Sequence, residues 1–70
     1  MAIEKVTLPV ARKIAKLSQK DLAIKVGVSE STVYKWEKGT AEPTVTQAKM
    51  IATAVGLEYD DIIFLPSVTV

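Results

Sequence analysis

Apolar residues recur along this chain at helical spacing, and their breaks divide it into short segments. Leu8, Ala11 and Ala15 share one face of a first segment, about Leu8–Lys16. Leu22 and Val26 stand four apart in a second, about Gln19–Val26, and Val33 and Trp36 stand three apart in a third, about Glu30–Lys38. Val45, Ala48, Ile51, Ala52 and Val55 form the longest stripe, ending near Val55. A fifth, short segment covers about Tyr59–Phe64. Spacings of three and four put such residues on one side of an α-helix, so the pattern predicts an all-α, five-helix domain over residues 1–70.

Boundary residues agree with these segments. Thr7 can cap the first helix, and Pro9 falls in its first turn, where a missing N–H costs little. Ser18 with Asp21, and Thr44 with Gln47, have capping-box spacing; Ser29 can cap the third helix. Gly27, Gly39 and Gly56 follow the second, third and fourth segments, and Pro66 prevents continuation of the fifth. Residues 1–6 are expected to be extended or frayed, and the tail SVTV is β-prone. Small Ala23 lies on the inner face of the second helix, where another backbone could approach. Two short helices joined by a tight glycine turn, Gln19–Lys38, form the helix-turn-helix pattern.

Composition narrows the function. Seventy residues give one small core, and 49% of them are apolar. Cysteine and histidine are both absent, which removes disulfides, the usual zinc clusters and histidine-based triads. No apolar run approaches the roughly 18 residues of a membrane span, and the N-terminus lacks a signal-peptide core; a cytoplasmic protein is expected. The net charge of +1 conceals a division. Residues 1–40 carry eight basic and four acidic groups, whereas residues 41–70 carry Lys49 against Glu42, Glu58, Asp60 and Asp61. The basic half holds the two-helix unit, and that sign suits a phosphate backbone.

The run LSQKDLAIKVGVSESTVYKWEKGTAEPT resembles the DNA-binding domain of the Cro and phage-repressor family, also called the xenobiotic-response-element family. Every fixed position of that family's pattern is met, from Leu17, Ser18 and Gln19 through Gly27, Trp36, Glu37 and Gly39 to Pro43. The similarity covers about residues 8–65, and the ending DDIIFLP resembles small regulators of Gram-positive bacteria and their phages. The resemblance implies a lambda-repressor-like five-helix fold and sequence-specific binding to double-stranded DNA, usually as a homodimer. It places Glu30, Ser31 and Lys35 at positions that face base edges, with Tyr34 beside them. It gives Gln19 a phosphate contact and a bracing role, gives Lys38 a phosphate contact, and pairs Arg12 with Glu37 as a buried ion pair.

Residue chemistry supports the same assignment. Glu30, Ser31, Tyr34 and Lys35 lie opposite Val33 and Trp36. Lys35 can donate to guanine, Ser31 can donate or accept, and Glu30 can only accept, with cytosine N4 as its natural partner. Lys20 joins Gln19 and Lys38 as a phosphate contact, helped by the amide ends of the second and third helices. Trp36, on the apolar face, is expected in the core. Tyr59, Ile62, Ile63, Phe64 and Leu65 crowd apolar surface into one short segment, where a second copy could dock. Ser31 and Lys35 have the spacing of a Ser/Lys dyad, but no Gly-rich elbow or oxyanion arrangement accompanies them. The sequence therefore predicts no enzyme, cofactor, metal site or small-molecule ligand. A protein-interaction module, such as an antitoxin or anti-repressor on the same fold, is the alternative.

Overall fold

Three side-chain caps and four left-handed residues divide this chain into helices. The computed structural model describes residues 5–64, with α1 at Leu8–Ile14, α2 at Gln19–Val26, α3 at Glu30–Lys38 and α4 at Val45–Val55. Ser18 and Asp21 form a reciprocal capping box, with both bonds at 2.9 Å. Ser29 Oγ accepts from the Thr32 amide at 3.1 Å. Thr44 and Gln47 close a second box at 3.0 and 2.9 Å. Each such cap satisfies amides that the first helical turn leaves without partners, and loss of one costs about 1 kcal/mol.

The first helix departs from the sequence expectation at both ends. Thr7 holds the cap position, but its side chain makes no capping bond. At the other end α1 stops at Ile14, two residues before Lys16. Lys16 adopts φ 63°, the left-handed conformation that ends a helix. Its amide donates to the Lys13 carbonyl at 2.9 Å, and the Leu17 amide donates to the Arg12 carbonyl at 3.1 Å. A lysine thus does here what glycine does at the ends of α2, α3 and α4.

The predicted fifth helix is replaced. Tyr59–Asp61 form a single 3-10 turn, and the chain then extends into a strand. This strand, β2 (Ile62–Ile63), runs parallel to β1 (Val6–Thr7), with Val6 opposite Ile62 and Thr7 opposite Ile63. The segment is too short to repay helix nucleation. Its paired isoleucines are β-branched and suit extended backbone, and Ile62 buries itself by pairing there. The all-α class stands, with four α-helices and this one short strand pair among the described residues. Leu65 and the SVTV tail lie outside them.

The core collects Leu8 and Ala11 from α1, Leu22, Ala23 and Val26 from α2, and Val33 and Trp36 from α3; Ile51, Ala52 and Val55 from α4 and Ile62 complete it. Leu17 and Ala15 pack against its margin. Burying each large aliphatic side chain stabilises the fold by about 1.5–3 kcal/mol. Val45 is the exception to the predicted stripe. It is 62% exposed, because the first residue of α4 projects past the core, and the buried stripe begins at Ala48.

Candidate nucleic-acid interface

The α2–α3 unit is fixed from inside. Leu22, Ala23 and Val26 face Val33 and Trp36, all buried, and α2 packs on α3 more extensively than any other pair of elements. The Ala23 methyl is small enough to let the two backbones come close. The turn between them is tied to the same residue, whose carbonyl accepts from the Gly27 amide at 2.8 Å and the Val28 amide at 3.0 Å. Gly27 has φ 85°, where a residue with a Cβ is strained. Val28 is half-buried below the turn, and Ser29 starts α3.

This clamping leaves one side of α3 open. Glu30, Ser31, Tyr34, Lys35 and Lys38 are all exposed, whereas Val33 and Trp36 are buried. Trp36 is therefore core and is not available for base stacking. Glu30 sits in the first turn, at the positive pole of the helix, which favours a carboxylate there whatever else it meets. The Lys38 ammonium lies 5.7 Å from the centre of the Tyr34 ring. The end of α3 is secured by the Lys35 carbonyl, which accepts from the Thr40 amide at 3.0 Å and the Thr40 hydroxyl at 3.3 Å.

A polar network joins α3 to the segments before it. Arg12 Nε donates to Glu37 Oε2 at 2.6 Å, and Arg12 Nη2 donates to Oε1 at 3.2 Å. Arg12 Nη1 donates to the Leu17 carbonyl at 2.9 Å. Gln19 Nε2 donates to Glu37 Oε1 at 3.0 Å. One carboxylate at the end of α3 thus gathers α1, the α1–α2 turn and the first residue of α2. The pair is nearly buried, with side-chain exposures of 12% for Arg12 and 7% for Glu37. Bidentate geometry and a full set of partners are what such burial requires.

The structure therefore gathers Glu30, Ser31, Tyr34, Lys35 and Lys38 on one helix, with Lys20 exposed in the first turn of α2. Gln19 is half-buried and donates one N–H to Glu37 on α3, and its side-chain amide carries a second N–H. Sequence reasoning did not identify the Leu17 carbonyl or the Thr40 hydroxyl. Backbone acceptors carry no sequence signal, and nothing in the spacing beyond Gly39 marks the Thr40 hydroxyl as a clasp on the Lys35 carbonyl. Tyr59 and Ile63 are exposed, and the Tyr59 and Phe64 rings stack at 6.1 Å. With Glu42, Pro43, Val45 and Ala48, those two rings line a groove of about 270 Å³. Among the described residues no helix is long and apolar enough to cross a membrane.

Comparison with known proteins agrees with this arrangement. The Helix-turn-helix family matches residues 10–62. An uncharacterized HTH-type transcriptional regulator of Methanothermobacter thermautotrophicus is 41% identical over 54 residues, covering 77% of this chain and 78% of the relative. Another, from Methanocaldococcus jannaschii, is 41% identical over 51 residues, covering 73% and 77%. No solved structure matches at comparable significance. With a matched span running from α1 to β2 and every fixed position of the two-helix unit present, the chain belongs to the helix-turn-helix family of the Cro and phage-repressor type.

Proposed function

We propose that this chain is a sequence-specific regulator of transcription, acting in the cytoplasm as a repressor, with α3 in the major groove of double-stranded DNA. The observation that carries the reading is the two-sidedness of α3: Val33 and Trp36 are clamped, while Glu30, Ser31, Tyr34, Lys35 and Lys38 stand open. With its side chains an α-helix such as α3 is roughly 10–12 Å across, which the roughly 12 Å width of the groove admits. Glu30, Ser31, Tyr34 and Lys35 meet base edges. Gln19, Lys20 and Lys38 meet phosphates on either side. The relatives named as transcriptional regulators support the same role.

One domain of this size makes few contacts, so two copies act together on half-sites roughly 34 Å apart. Their contact is the Tyr59–Leu65 side, where Tyr59 and Ile63 remain 39% and 41% exposed beside the groove at Val45. Selection of bound duplexes from a random pool tests both statements. The expected product is a repeated, inverted half-site. Failure to enrich any sequence, together with recovery of a protein partner and no DNA, would favour an antitoxin or anti-repressor instead. Sedimentation that shows only monomer with and without the selected duplex would remove the pairing.

A further inference from the structure

Tyr34 and Lys38 stand one turn apart on the open face of α3, with the ammonium 5.7 Å from the ring centre. At this distance a cation is drawn to the negative face of the ring. Two further observations give that contact a consequence. Tyr34 is 50% exposed, so packing in the core does not account for its ring. The backbone beneath Lys38 is held in place, because the Thr40 amide and hydroxyl both bond the Lys35 carbonyl. What remains mobile is the four-carbon stem of Lys38, whose rotamer freedom must be surrendered when the ammonium meets a phosphate. A ring that already restrains the stem reduces that loss.

We propose that Tyr34 is a positioning residue for Lys38: its ring holds the ammonium along the edge of α3, ready for a phosphate oxygen. Tyr34 thereby raises affinity for any duplex through Lys38, in addition to whatever its hydroxyl does at a base edge. The inference rests on the reading of α3 as the DNA-facing helix.

The test is a double-mutant cycle on a random-sequence duplex at low salt, with Tyr34→Phe, Tyr34→Leu, Lys38→Ala and the Tyr34→Leu/Lys38→Ala pair. Tyr34→Phe keeps the ring and should leave the contact between that ring and the Lys38 ammonium in place, read as a retained ring shift of the Lys38 ε-methylene protons. Tyr34→Leu should weaken binding about two- to fivefold, and should have no further effect once Lys38 is alanine. In the protein without DNA, the ring should shift the Lys38 ε-methylene proton resonances upfield, and Tyr34→Leu should abolish that shift. An equal loss from Tyr34→Leu with and without Lys38 would overturn the proposal, as would a missing ring shift. If the unchanged protein binds no duplex while the ring shift is present, the reading of α3 fails, and the positioning role falls with it. Both positions are exposed, and unaltered melting of the variants confirms that folding is intact.

Discussion

Arg12 grips both carboxylate oxygens of Glu37 across 25 residues of sequence, tying α1 to the last turn of α3. Glu37 receives Gln19 as well, and Arg12 also holds the Leu17 carbonyl. The orientation of α3 against the domain is therefore set at its far end by charge and at its middle by Val33 and Trp36.

Removing one member should be costly. Arg12→Ala leaves a nearly buried carboxylate with Gln19 as its remaining side-chain partner. The expected loss is about 3–5 kcal/mol, measured by denaturant unfolding. Arg12→Met combined with Glu37→Met removes both charges and should recover part of that loss, since no charge is left unpaired. Wild-type stability in Arg12→Ala would show that the network does not hold α3.

Two left-handed positions should respond in opposite directions. Gly27 has φ 85°, and an added Cβ would meet nothing within 4 Å, so conformation alone opposes a side chain there. Gly27→Val should destabilise by about 1–2 kcal/mol or somewhat more, because valine is β-branched. Lys16 already occupies this region at φ 63° with a full side chain. Lys16→Gly should be neutral or up to about 1 kcal/mol stabilising, the relieved strain outweighing the added freedom of the unfolded chain. Thermal melting of both variants checks the pair; destabilisation by Lys16→Gly would refute the strain argument.

Asp21 links stability to pH. Its carboxyl is held below the usual range, first by the hydrogen bond from the Ser18 amide, then by the Ser18 side chain, with smaller help from Lys20 and Lys25. A carboxylate whose pKa is lower in the folded state stabilises above the unfolded value. That contribution disappears as pH falls through the lowered value. Asp21→Asn should therefore melt below the unchanged protein at neutral pH, and the gap should close in strong acid. A gap that widened on acidification would contradict the capping box as its source.

Much of this was legible in the sequence for identifiable reasons. The Ser18–Asp21 and Thr44–Gln47 boxes are local, so spacing alone finds them. The α2–α3 unit was legible because Val33 and Trp36 repeat at helical spacing and Gly27 sits where the chain must reverse. The end of α1 was not, since nothing in Ala15–Lys16–Leu17 signals that a lysine will take a left-handed turn. The 3-10 turn and β2 were missed because their cause is distant: Ile62–Ile63 extend to pair with Val6–Thr7. A segment whose form depends on a partner 56 residues away cannot be read from its own pattern. At the interface, exposure of Ser31, Tyr34 and Lys35 followed from periodicity, whereas the geometry joining Tyr34 to Lys38 required coordinates.

Lys35 and Lys38 should separate readout from attraction. Lys35→Ala should cost about 1–3 kcal/mol on the selected site and relax preference there. Lys38→Ala should weaken selected and random duplexes alike and lower the salt slope by about 0.9. Binding measured at several salt concentrations checks both. Identical behaviour of the two variants on both duplexes would remove Lys35 from base readout.

The central claim, that the open side of α3 enters the groove, is tested most directly by following backbone amide resonances while a selected duplex is added. The account predicts that the largest shifts fall on residues 30–38 and on the start of α2 at Gln19 and Lys20. Shifts confined to residues 42–64, with residues 30–38 unmoved, would contradict it.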